Sequence, residues 1–164
     1  MAIKNTVPEG FSHPALLPDS PEKQKAWQEA NKLWWESNPM RYDWKDKIDY
    51  EEFTKPFFEE IDSRFFQDAK VYIPFKNIPF DYLIDFNSLS LQDVLEIGVG
   101  NGSHARLLAE HSRSFTGIDL TEYAVKSVSK RMECFGLNGN IAQMDAEAMK
   151  FDDASFDFVW SWGV

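Results

Sequence analysis

The residues best suited to chemistry stand close together in Glu96-Ile-Gly98-Val-Gly100-Asn-Gly102. Glycines at alternate positions let a backbone turn tightly and let a ligand approach without meeting a Cβ. A helix N-terminus behind such a turn attracts negative charge. Asp119 closes the next apolar run, where a carboxylate can accept both hydroxyls of a ribose. Asp145 follows the run after that. A glycine turn alone is common in α/β proteins; its coincidence with two acids, each at the end of an apolar run, points to a ligand carrying a ribose. Simpler roles exist beside that one. Asp119 could cap the helix beginning at Thr121, and Glu96 could be a buried acid satisfied by backbone amides.

The elements that must position these residues follow from periodicity. Gln92–Ile97 reads as a strand, Ser103–His111 as a helix and Ser114–Ile118 as a second strand. Thr121–Phe135 reads as a helix closed by Gly136, Asn140–Met144 as a third strand and Phe156–Trp160 as a fourth. Short apolar runs alternating with amphipathic helices predict an α/β fold with a mostly parallel sheet and right-handed crossovers. In such sheets ligands bind at the carboxyl ends of the strands, where the glycines and both acids fall.

Composition divides the chain near Asn87–Leu91. All eight prolines and 17 of the 25 aromatics precede Ser88, whereas seven of the eight glycines lie from Gly98 onward. We therefore expect a helical, aromatic-rich extension over 1–88 and an α/β domain over 89–164. Within the extension, residues 1–19 read as an extended arm and Ser20-Pro21 opens a helix that Asn38-Pro39 stops. Ala26, Trp27, Ala30, Leu33 and Trp34 form that helix's apolar stripe. A second helix starts near Thr54, with Phe57, Phe58, Ile61, Phe65 and Ala69 as its buried face. The loop aromatics, Tyr42 and Trp44 foremost, either pack the extension onto the domain or form a lid over a pocket.

Net charge is −10 with a pI near 4.7, which disfavours nucleic acid and anionic membrane surfaces as partners. No run of 18 apolar residues occurs, so no membrane span is expected. One cysteine, Cys134, and three scattered histidines lack metal-ligand spacing, so no metal site is expected and a reducing cytoplasm is the natural setting. His104 and His111 have no acid or cysteine arranged around them and read as surface or satisfied residues; Cys134 reads as a packed small side chain.

A nicotinamide dinucleotide turn would require G-x-G-x-x-G, with its third glycine where Ser103 stands. The spacing G-x-G-x-G after Glu96, with Asp119 and Asp145-Ala-Glu147, instead resembles the class I S-adenosylmethionine-dependent methyltransferases, in particular small-molecule, type 11-like members. The resemblance runs from about Leu91 to Val164. It implies a Rossmann-like three-layer sandwich, S-adenosylmethionine as methyl donor and a small-molecule acceptor. It also implies roles: Gly98, Gly100 and Gly102 cradle the amino-acid end of the cofactor, with Glu96 ordering the turn from below. Asp119 holds the ribose hydroxyls and Leu120 flanks the adenine. Asp145 accepts from the adenine amino group, and the Ala146 amide addresses a ring nitrogen. Ser161-Trp-Gly163 lies near the transferable methyl, and no catalytic base is assigned. The leader pieces Asn38-Pro39 and Tyr42-Asp43-Trp44 resemble an aromatic leader found before some bacterial members. Such families carry about seven strands, so a chain with four is expected to be incomplete, with self-association along the fourth strand's edge. A non-catalytic cofactor- or partner-binding module of the same fold is the competing expectation.

Overall fold

The computed structural model describes residues 16–164, so most of the arm expected over 1–19 lies outside the described residues. Two compact units divide between Pro39 and Met40. The compositional break near Asn87–Leu91 is thus a change of architecture inside the second unit.

In the first unit, α1 (Pro21–Ser37) begins as its sequence dictates, with Ser20 Oγ accepting from Lys23 N at 3.2 Å and proline in the first turn. Asn38 ends it, its side-chain amide donating to Trp34 O at 2.9 Å. None of its side chains is fully buried.

The second unit holds α2 (Lys55–Lys70), α3 (Phe86–Leu89), β1 (Asp93–Ile97), α4 (Ser103–His111), β2 (Ser114–Asp119), α5 (Glu122–Phe135), β3 (Asn140–Gln143), a 3-10 turn (Ala146–Ala148) and β4 (Phe158–Ser161). The four strands pair in the order β3-β2-β1-β4, every pair parallel, which is the Rossmann-like α/β arrangement. The crossovers from β1 to β2 and from β2 to β3 carry α4 and α5, which touch each other and pack on the sheet. β4 begins two residues later than periodicity suggests, because Asp152–Ser155 and the packed Phe151 and Phe156 rings occupy the approach to it.

The core lies between the sheet and these helices: Val94, Val99, Ala105, Leu108, Phe115, Val128 and Met132 are all nearly inaccessible. The segment from Met40 to Leu89 closes it. α2 packs against both α4 and α5, and Phe65, Phe80, Ile84, Phe86 and Leu89 enter the same cluster. Tyr42, Phe53 and Phe80 stand in the left-handed backbone region, an arrangement that costs about 1–3 kcal/mol at a bulky residue. At Phe80 burial offsets that cost: it is 1% exposed, with ring contacts to Phe65, His104, Trp160 and Trp162. Of the two loop aromatics singled out above, Tyr42 packs on Phe65 at 5.2 Å and Trp44 is 57% exposed.

Candidate functional site

β1 delivers the glycine turn. Gly98 N and Val99 N both donate to Ile118 O, at 2.9 and 3.1 Å, fastening the turn to β2 before the chain reverses. Gly102 N donates to Val99 O at 2.8 Å, and Asn101 Oδ1 accepts from Ser103 N at 2.7 Å, where α4 begins. Gly98, Gly100 and Gly102 have φ values of +74°, +51° and +84°, where a side chain is strained. A Cβ on Gly102 would lie 2.9 Å from Val128 Cγ2, so that glycine sets the close approach of α4 to α5. Around Gly100 a Cβ would meet nothing within 4 Å; this is the open side of the turn.

β2 delivers Asp119. Its Oδ2 accepts from Gly100 N at 3.0 Å, and its Oδ1 accepts from both the Thr121 amide and hydroxyl, at 2.9 and 2.8 Å. The capping role foreseen for Asp119 is taken by Thr121, whose Oγ1 accepts from Ala124 N and which starts α5. Asp119 Oδ2 therefore keeps a lone pair, on a half-buried residue beside the open glycine. The end of β3 is joined to the same place: Met144 N donates to Asp119 O and Gln143 Nε2 to Leu120 O, each at 2.9 Å. Asp145 caps the 3-10 turn, accepting from Glu147 N at 2.9 Å; it is half-buried, and Ala146 beside it is exposed. Gly98, Gly100, Gly102, Asp119, Leu120, Asp145 and Ala146 thus line the carboxyl ends of three adjacent strands.

Glu96 lies beneath, 2% exposed within β1. It is buried as expected, but backbone amides do not satisfy it: Oε2 has no hydrogen-bond partner among the described residues. Burial, with the Asp119 charge nearby, pushes its pKa well up. His104, expected at the surface or satisfied, is 7% exposed and Nε2 is likewise unpartnered; burial pushes it down to about 3. Apolar spacing on α4 places it inward, where Phe65, Phe80, Trp160 and Trp162 enclose its ring. The 3.8 Å between His104 Nδ1 and Glu96 Oε1 is too long for a hydrogen bond. His111 is satisfied as expected, Nδ1 lying 2.7 Å from Leu107 O, and Cys134 is half-buried.

Sequence reasoning missed the buried polar cluster behind the turn. Asp62 on α2 accepts from Ser103 Oγ at 2.6 Å, from Arg131 at 2.7 Å and from Arg106 at 3.1 Å. Arg131, fully buried on α5, also donates Nε to Asn101 O at 3.1 Å and lies 4.6 Å over the Phe58 ring. Burial lowers its pKa, yet a guanidinium stays charged. The available signal was a charged residue at an inward position of an amphipathic helix: Asp62 follows Ile61 and stands four residues after Phe58.

Ser161–Gly163 emerges from β4 beside the turn, with the Trp160 and Trp162 rings stacked 6.0 Å apart and the Val164 side chain against Gly98. Asp157 lies at the opposite end of the sheet, donating its amide to Asp93 O. Among the described residues, no cluster of three or more His, Cys, Asp or Glu is placed to hold a metal, and no helix is long and apolar enough to cross a membrane.

Residues 94–164 match the family model described as a methyltransferase domain. The phthiotriol/phenolphthiotriol dimycocerosates methyltransferase of Mycobacterium tuberculosis is 40% identical over 70 residues, covering 42% of this chain and 25% of that protein. The enzyme of the same name from Mycobacterium leprae is 39% identical over 74 residues, covering 44% and 27%. The chain thus spans about a quarter of the length of the curated relatives it matches. Similar solved structures include an S-adenosylmethionine-dependent methyltransferase from Clostridium acetobutylicum, 17% identical with a TM-score of 0.44, covering 60% of this chain and 43% of that one. A dimethyladenosine transferase from Plasmodium falciparum is 27% identical with a TM-score of 0.45, covering 50% and 30%.

Proposed function

We propose that this chain, whose residues 94–164 match a methyltransferase domain and form a Rossmann-like sheet, transfers a methyl group from S-adenosylmethionine to a small-molecule acceptor. The observation that carries this reading is the hydrogen bond from Gly100 N to Asp119 Oδ2, which sets a carboxylate with a spare lone pair against the one of the three turn glycines whose side faces open space. That pairing fits a ribose at Asp119 and an amino-acid moiety along the turn.

Bound there, the cofactor supplies an electrophilic methyl group on a sulfonium. Asp119 Oδ2 accepts from a ribose hydroxyl, and Gly98, Gly100 and Gly102 let the backbone approach the amino-acid end. Leu120 flanks the adenine, Asp145 accepts from its amino group and the Ala146 amide donates to a ring nitrogen. Glu96 supports the turn from below. Displacement from a sulfonium expels a neutral group, so alignment and exclusion of water are the protein's main tasks. Trp160, Trp162 and Phe80 provide an apolar wall for the latter. Asp157, at the far end of the sheet, takes no part.

The acidic net charge supports a small acceptor over a nucleic acid. So do the mycobacterial relatives, named for phthiotriol dimycocerosates. A lone cysteine outside any disulfide fits a cytoplasmic setting. Calorimetric titration with S-adenosylhomocysteine tests the cofactor: saturable binding that Asp119→Ala weakens at least about tenfold, with an unchanged circular dichroism spectrum, is expected. A folded wild-type chain that binds nothing overturns the reading.

A further inference from the structure

Met40–Leu89, ahead of the matched residues 94–164, has no assigned role, yet it reaches the back of the glycine turn. Asp62, 6% exposed on α2, accepts from the hydroxyl of Ser103, the first residue of α4. The same Oδ1 accepts from Arg131, whose Nε donates to the carbonyl of Asn101, the residue between Gly100 and Gly102. Its other oxygen accepts from Arg106, one turn further along α4. A second contact repeats the pattern on the neighbouring helix: Tyr123, in the first turn of α5, donates its hydroxyl to Glu52 at 2.6 Å. Both contacts meet helix N-termini that face the ligand-binding edge.

Stability alone does not explain such a cluster. Two buried charges give up hydration, and well-packed apolar residues often stabilise as well or better. What an ion pair adds is direction. Arg131 has Phe58 under its guanidinium plane, donates Nη1 to Asp62 and donates Nε to Asn101 O, so the ion pair aims Nε at the turn carbonyl. A displacement of about 1 Å in a binding group can cost on the order of a hundredfold in activity.

We infer that Asp62 is a positioning residue for the cofactor turn, acting through Ser103 and Arg131, and that Met40–Leu89 is thereby a working part of the cofactor site. The inference rests on the cofactor reading above. Its test is titration of S-adenosylhomocysteine into the full chain carrying Asp62→Asn or Ser103→Ala, with Asp119→Ala as control, each below its measured melting temperature. Amide resonances of Gly98, Gly100 and Gly102 are recorded beside resonances from β3. Asp62→Asn is expected to weaken binding about tenfold or more and Ser103→Ala a few-fold. Both should move the glycine resonances and leave those of β3 in place, a signature that general loss of stability does not produce. A folded Asp62→Asn chain with wild-type affinity and unmoved glycine resonances overturns the inference. If Asp62→Asn does not fold, the same outcome in Ser103→Ala overturns it. If the wild type binds nothing, the cofactor reading fails separately, and unmoved glycine resonances in the variants still overturn the positioning role.

Discussion

Two clusters of carboxylate and guanidinium groups bracket the sheet, built from the same chemistry at opposite ends. At the carboxyl end Asp62 joins Arg131, Arg106 and Ser103, with the Arg131 and Asp62 side chains 0% and 8% exposed. At the amino end Asp93 joins Arg113 and Ser114, and Asp157 joins Arg113 and the Asp93 amide, with Arg113 and Asp93 at 53% and 34%. Arg113 and Ser114 hold the Asp93 carboxyl down to about 2. Distances in the two clusters are alike; solvent is not. Water screens the outer cluster and replaces any bond it loses, whereas the inner one has no substitute for a missing partner. Proximity of charges therefore says little until burial is known.

The largest effect should come from Arg131→Met, which leaves Asp62 buried with only Arg106 as a cation. Chemical denaturation should show a loss of about 3 kcal/mol or more. The double variant Arg131→Met with Asp62→Leu should lose less than the two single changes summed; additive losses would break the comparison.

Next in size is a pH response centred on the inner end. His104 is depressed to about 3, so its stabilising contribution is complete above its unfolded value near 6.5 and is lost as pH falls toward 3. Glu96 is raised, so its contribution is complete below its unfolded value near 4.5 and is lost as pH climbs through its folded value. Thermal melts across pH should accordingly pass through a maximum. His104→Phe should flatten the acid side and Glu96→Gln the alkaline side.

A smaller effect is expected at Gly102. Alanine there meets Val128 and a left-handed backbone, and should lower stability by roughly 1–2 kcal/mol in denaturant titration. Alanine at Gly100 carries the backbone strain without the clash, so it should unfold less readily than Gly102→Ala while binding S-adenosylhomocysteine worse than wild type. The smallest effect belongs to Arg113→Ala. No stability change should be resolvable at physiological salt, with a slight loss emerging at low ionic strength. A large loss at both would erase the contrast between the two ends.

Much of this was legible in the sequence because the relevant signals are local. Ser20-Pro21, Thr54 with Pro56, and Gly136 mark helix ends by chemistry that acts over four residues, and the glycine turn requires only its own φ angles. Three strand ends followed from the same periodicity. The Asp62 cluster was not legible, since Asp62 and Arg131 stand 69 residues apart and each alone resembles an ordinary surface charge. His104 was hidden for a similar reason: the rings that enclose it come from α2, the Phe80 loop and β4, and no local pattern announces them. Asp157, just ahead of β4, stands at the amino end of the sheet because it precedes its strand.

The position of β4 beside β1 has a consequence for how the chain assembles. β1 pairs with β2 after a single crossover, but its other edge waits for a strand 64 residues further on, as the Asp93–Asp157 contact shows. Loop-closure entropy makes that contact the costlier to nucleate, so β1, α4 and β2 should form first and β4 should dock late. Gly98 and Val164 come together only at that docking, which makes completion of the glycine turn's surroundings a late event in folding rather than an early one.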